Sequence, residues 1–187
     1  EDGGLHLGMS SAQVNDRVNT AKNIVNDAIG MNNHMGSAAT ADPQLMTYLM
    51  TALQEKHLFF LDSRTIGKSV AGKIAKEQGV RSLDRHIFLD DSNELAEVQH
   101  QFQAAIQYAR KHGTAIAIGH PRPNTIAVLQ AGINNLPGDI QLVGMGNLWR
   151  NEKVIPPKPF ILLFTEMPAP TSMEPFEPVG LLRGIPK

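Results

Sequence analysis

The side chains best suited to chemistry in this sequence stand just after short apolar runs. His34 closes the first of them, in Ala28-Ile29-Gly30-Met31-Asn32-Asn33-His34-Met35-Gly36-Ser37. An imidazole there can bind a metal or move a proton, and the amides of Asn32 and Asn33 can orient it or hold a substrate. Gly36 lets the backbone approach a ligand closely. The same residues also read as a polar turn whose Asn side chains satisfy local backbone groups. Asp62 follows Leu58-Phe59-Phe60-Leu61 and can act as a metal ligand or a base; the alternative is an ion pair with Arg64. His120 follows Thr114–Gly119 and precedes Pro121, which biases its backbone to extended geometry. It can serve as an acid or a ligand, or stand as a rim histidine. Arg64 and Arg122 can clamp a carboxylate or stabilise an oxyanion, with surface ion pairs as the alternative. Asp90 and Asp91 precede a long helix, and helix capping is the reading adopted for at least one of them. His6, His57, His86, His100 and His112 have no such constellation around them and read as surface or helix-end residues.

The elements that must position these side chains are legible in part. Ser10 and Gln13 make a capping box ahead of a helix expected over 11–26, with Val14, Val18, Ala21 and Val25 at helical spacing. A strand ending at Asn32 and Asn33 follows. Asp42 and Pro43 open a helix to about Lys56, the Asp as N-cap and the Pro at the first helical position. Leu58–Leu61 is apolar throughout, as a strand covered on both faces should be. A helix over 70–78 stops at Gly79, and a strand over 86–89 follows. The longest helix spans 94–112 and closes at Gly113; a strand over 114–119, a helix over 124–131 and a further strand over 141–143 complete the pattern. Strand–helix alternation argues for parallel strands with right-handed crossovers, which bring their C-terminal ends to one rim. His34, Asp62 and His120 are therefore expected to gather there.

At 187 residues the chain suits one domain with a substantial core. Its formal net charge is −1, so no basic surplus points to nucleic acid. The absence of cysteine excludes disulfides, zinc–thiolate sites and thiol catalysis. No apolar run approaches the ~20 residues of a membrane span, and the first residues are not a signal peptide. From Pro156 onward proline is dense enough to forbid regular helix; residues 151–187 read as a Pro-rich extension, in which Phe160–Phe164 could form one more strand.

The stretches Gly30–Ser37, Phe59–Thr65, Phe88–Asp91 and Ile116–Pro121 together resemble the divergent polysaccharide deacetylases, an outlying branch of the NodB-like carbohydrate esterase superfamily. The likeness covers roughly Met9 to Leu129. It implies an α/β fold, a distorted and incomplete (β/α) barrel formed by residues 1–150, here lacking the N-terminal strands with which the barrel usually begins. It implies removal of acetyl groups from an N-acetylated cell-envelope glycan by water activated on a divalent metal, zinc by expectation, in a periplasmic or secreted protein. Carried onto this sequence, His34 and Asp62 are the expected metal ligands, Asp62 and His120 the catalytic pair, and Asn32, Asn33, Ser37, Arg64 and Arg122 the substrate-binding set. One position departs: the superfamily's metal motif carries a second His four residues after the first, and Ala38 stands there. A catalytically degenerate glycan-binding or envelope-assembly module is accordingly the alternative reading.

Overall fold

Helix α1 (Ser11–Ile24) starts where the capping box places it: the Ser10 N–H donates to Gln13 Oε1 at 2.9 Å, and the Gln13 N–H donates back to Ser10 Oγ at 3.3 Å. It ends two residues early, where Lys22 Nζ reaches forward to the carbonyls of Asn26 and Ala28. Strand β1 (Gly30–Asn32) and the short helix α2 (Ser37–Ala41) lead to α3 (Pro43–Glu55). Asp42 Oδ1 accepts the Leu45 N–H at 2.7 Å, and the expected stripe of Leu45, Leu49, Ala52 and Leu53 is buried together with Met46 and Met50. The computed structural model describes residues 3–34 and 36–151. The Pro-rich extension beyond Asn151 and the strand expected over 160–164 lie outside the described residues.

Strand β2 (Phe59–Asp62) is central to a parallel sheet of three strands, paired on one side with β1 and on the other with β3 (Ser82–Asp84). Alternation along it divides the core. Phe60 and the preceding Leu58 pack against α1, α3 and α4 (Ala71–Glu77). Phe59 and Leu61 point the other way, toward Leu83, Ile116, Ile118 and Trp149. A second pair of parallel strands, β4 (Ile87–Phe88) and β5 (Ala117–Ile118), joins elements across α5 (Leu95–His112). Helices α6 (Pro123–Asn134) and α7 (Met145–Arg150) follow. The strands are thus parallel and, except between β3 and β4, separated by helices; among the described residues they form two sheets rather than one closed barrel.

Four elements differ from expectation: α2, Ser82–Asp84, residues 141–143 and α7. Ser82–Asp84, which lies between the helix expected over 70–78 and the strand expected over 86–89, is a strand because β2 offers it a free edge; its own composition has a single apolar residue. Residues 141–143, read as a strand, have no ladder, and α7 stands immediately after them. That helix is short and weakly patterned, and it is held by one side chain. Trp149 is buried, stacks on Phe59 with ring centroids 5.5 Å apart, and donates its indole N–H to the Phe60 carbonyl at 3.0 Å. Gly30 makes room for it: a Cβ there would lie 2.7 Å from Trp149 Cη2.

Candidate functional site

The turn after β1 is stitched to the turn after β2. The Ser63 N–H donates to Asn33 Oδ1 at 2.8 Å, Ser63 Oγ donates to the Asn33 carbonyl at 2.6 Å, and Asn32 Nδ2 reaches Ser63 Oγ at 3.3 Å. Ser37 Oγ donates to Thr65 Oγ1 at 3.2 Å, a second tie between the same two turns. These bonds extend the parallel pairing past the last ladder residues and fix the backbone that carries His34. Its imidazole is exposed and lies against that of His120, with ring centroids 5.7 Å apart at 61°. Two of the three residues expected at one rim therefore meet there, one from the end of β1 and one from the end of β5.

His120 is held by Asp90, one of the two carboxylates of which at least one is expected to cap the helix that follows. Asp90 does not cap α5; the N–H of the N-cap residue Glu94 is taken by Ser92 Oγ, and Asp90 is 0 % exposed. Its Oδ1 faces His120 Nδ1 at 3.0 Å, while its Oδ2 accepts the His120 N–H at 2.7 Å and the Thr125 hydroxyl at 2.9 Å. The Asp90 carbonyl accepts from Arg122 Nη1 at 2.7 Å. Burial on its own would raise the Asp90 pKa; the hydrogen bonds from the His120 backbone and ring and from Thr125 outweigh it and hold the carboxyl below the ordinary aspartate value. An ionised carboxylate only accepts, so His120 Nδ1 carries the proton that it shares with Asp90. The edge of the Phe88 ring packs against the same imidazole at 5.6 Å between centroids. Gly119 permits this closeness, since a Cβ there would stand 3.1 Å from Thr125 Cγ2 and 3.2 Å from Leu89 Cβ. Thr125 gives no signal in the sequence; Asp90 gives one, its position after an apolar run, which equally suits a cap.

Asp62 sits at the same strand level but turns inward. It is 0 % exposed, its Oδ1 accepts the Arg64 N–H at 2.8 Å and its Oδ2 accepts the Ser69 hydroxyl at 2.6 Å. The alternative reading of Asp62, an ion pair with Arg64, is not formed among the described residues: Asp62 takes the Arg64 backbone N–H, and the Arg64 guanidinium goes to Asp84 at 3.7 Å. Among the described residues no group of three His, Cys, Asp or Glu comes together in a way that could hold a metal ion. A catalytic zinc normally takes three protein ligands, so the described side chains do not by themselves fit one. His86, read as a surface residue, is half-buried: its Nδ1 accepts the Ile116 N–H at 2.9 Å and its ring stacks on Tyr108 at 4.7 Å.

No described helix is long and apolar enough to cross a membrane. A protein of Haemophilus influenzae (strain ATCC 51907 / DSM 11121 / KW20 / Rd), described as an uncharacterized protein, is 92% identical over 187 residues, which are 100% of this chain and 67% of that protein. Uncharacterized protein YibQ of Escherichia coli (strain K12) is 44% identical over 153 residues, covering 80% of this chain and 48% of that one. The chain thus spans between about half and two thirds of the length of these curated relatives. The crystal structure of uncharacterized protein ATU2773 from Agrobacterium tumefaciens C58 superposes with a TM-score of 0.65 at 21% identity, over 70% of this chain and 53% of that chain, a likeness of fold. The sequence model of the divergent polysaccharide deacetylases matches residues 1–149, nearly all of the chain whose fold is described above, and the chain belongs to that family.

Proposed function

We propose that this chain contributes one rim of a hydrolase that removes acetyl groups from an N-acetylated cell-envelope glycan, in the periplasm or outside the cell. In this reading the two parallel sheets are parts of one distorted (β/α) barrel. The observation that supports it is the Asp90–His120 pair: a buried carboxylate holds the imidazole by Nδ1 and by its own backbone N–H, beside the exposed ring of His34. With Nδ1 protonated toward Asp90, Nε2 is the nitrogen left to take a proton from the attacking water or to return one to the leaving amine. Thr125 and Arg122 act on Asp90 and so orient His120 indirectly. Asn33 and Ser37 hold the His34 turn, Asn32 and Arg64 are exposed at its border, and Asp62 shapes the turn after β2. A divalent metal such as zinc, bound at His34, would supply Lewis acidity at the amide carbonyl. Since the described donors do not complete its ligand set, the remaining ligands are assigned to parts of the protein outside the described residues, and the proton steps above stand without it.

The second reading is a glycan-binding module without turnover, and Ala38 in place of a second metal histidine favours it. Acetate release from chitooligosaccharide or peptidoglycan fragments by the full-length protein, together with its metal content, separates the two. Hydrolysis that falls by about 100-fold or more in His120→Ala is the expected result. Full-length protein that binds glycan in the presence of chelator and releases no acetate would establish the second reading instead.

A further inference from the structure

We propose that Arg85 is a positioning residue that sets the His34 and His120 imidazoles against each other; its part in catalysis rests on the deacetylase reading above. The two rings belong to different sheets, His34 following β1 and His120 following β5, yet their centroids are 5.7 Å apart. In the core, the buried cluster of Leu61, Ile116 and Trp149 joins elements of both sheets. Near the rim, the chain itself crosses from one sheet to the other at Arg85. The Arg85 N–H donates to the Asp62 carbonyl of β2 at 2.9 Å. The next N–H, that of His86, donates to the Ile116 carbonyl just before β5 at 2.8 Å.

The Arg85 side chain bridges the same junction. Its Nε donates to the Ser63 carbonyl at 2.5 Å and its Nη2 to the Arg64 carbonyl at 2.9 Å, so one planar fork takes both peptides that flank Arg64. Arg64 stands at φ +50°, a backbone disfavoured for a long side chain that persists where its surroundings over-determine it. The buried Asp62 carboxylate takes the Arg64 N–H, and Arg85 fixes the two carbonyls. The braced segment reaches His34 through Ser63, which gives its N–H to Asn33 Oδ1 and its hydroxyl to the Asn33 carbonyl, one residue before the imidazole. The second arm is aromatic. The Arg85 guanidinium lies over the Phe88 ring, 5.0 Å from its centre, and that ring stands at 82° to the His120 imidazole with centroids 5.6 Å apart.

Arg85 has no other task on the page of contacts it makes. It is half-buried, forms no ion pair among the described residues, and gives both of its side-chain hydrogen bonds to backbone carbonyls. A lysine would carry the same charge to this place but could not hold both carbonyls in one plane. A displacement of about 1 Å between reacting groups can cost about 100-fold in rate, so a brace on two turns matters to a reaction that uses both rings.

The test uses the full-length protein with ring-labelled histidine. It reads the NOE between the two imidazoles, and kcat and KM separately for acetate release from diacetylchitobiose. Arg85→Lys keeps the charge and loses the fork; Arg85→Ala loses both. In each variant the ring-to-ring NOE should weaken, and kcat should fall by about 10- to 100-fold with KM within about twofold of the parent. Added methylguanidinium should restore part of both signals in Arg85→Ala, whereas methylammonium, an equal charge without a fork, should restore neither. A merely structural role would lower the melting temperature and leave the NOE and kcat intact below it. If Arg85→Ala does not fold, the NOE in Arg85→Lys decides. No NOE in the parent, an NOE unchanged in the variants, a rise in KM at constant kcat, or rescue no better with methylguanidinium than with methylammonium would overturn the proposal. An NOE that depends on Arg85 in a protein that releases no acetate would overturn the deacetylase reading alone. Acetate release with an NOE indifferent to Arg85 would overturn this one alone.

Discussion

Asp90→Asn changes one atom and should reverse the proton on His120. An amide keeps the carboxylate's shape but offers one accepting oxygen and one donating NH2. The Oδ2 position must still accept two hydrogen bonds, from the His120 N–H at 2.7 Å and the Thr125 hydroxyl at 2.9 Å. The amide oxygen therefore settles there, and its NH2 takes the Oδ1 place, 3.0 Å from His120 Nδ1. That nitrogen can then only accept, so the neutral ring carries its proton on Nε2. Hydrogen bonds to a charged group contribute roughly 1.5–3 kcal/mol and neutral ones about 0.5–1.5 kcal/mol. Three such bonds weaken, and relief from burying a charge offsets part of the loss. A net destabilisation of about 2 kcal/mol follows, which for a chain of this size lowers Tm by about 4–8 °C. Nitrogen-15 NMR of histidine-labelled full-length protein reads the tautomer directly, and thermal melts read the stability. The expected result is an Nδ1–H ring in the parent, an Nε2–H ring in the variant, and acetate release reduced by about 100-fold or more. An Nε2–H ring in the parent, or the same tautomer in both proteins, would refute the role assigned to Asp90.

Trp149→Ala should cost about 3–5 kcal/mol in denaturant unfolding, since it removes a buried indole, its stack on Phe59 and the only side-chain donor given to the Phe60 carbonyl among the described residues; a cost below about 1 kcal/mol would show that α7 does not hold the inner face of β2. Stability should also fall as the solution is acidified through the histidine range. Burial lowers the His86 pKa from 6.5, with His112 adding to the shift and Asp84 opposing it. The unfolded chain therefore takes the proton first, and the stabilisation is complete above about pH 6.5 and lost as pH falls toward the lower folded value. Protonation would also end the acceptance of the Ile116 N–H by His86 Nδ1. Melts between pH 7.5 and pH 5.5 should show a decline that His86→Gln flattens; an identical decline in the variant would assign it elsewhere.

The parts of this protein that the sequence alone determined are those whose cause lies within a few residues. Ser10 with Gln13, and Asp42 with Pro43, mark helix starts because a side chain three positions ahead satisfies an orphan N–H. Gly79 and Gly113 mark helix ends because their left-handed backbone is cheap only for glycine. Apolar runs ending in polar residues placed His34 and His120 at the ends of parallel strands, and the two rings do meet. Family membership, too, was legible, because the motif residues are contiguous. Tertiary structure decided the rest. Ser82–Asp84 is a strand only because β2 supplies its hydrogen bonds, and α7 is fixed by a tryptophan whose partners, Gly30, Phe59 and Phe60, lie about ninety positions away or more. Asp90 could cap the helix after it or reach thirty residues onward to His120; both satisfy a carboxylate, and local chemistry does not separate them. The choice follows from the β4–β5 register, Phe88 beside Ile118, which brings the His120 N–H and ring and the Thr125 hydroxyl within reach of Asp90. A buried carboxylate is stable only where its acceptors are filled, and the donors that fill these arrive from another strand and another helix.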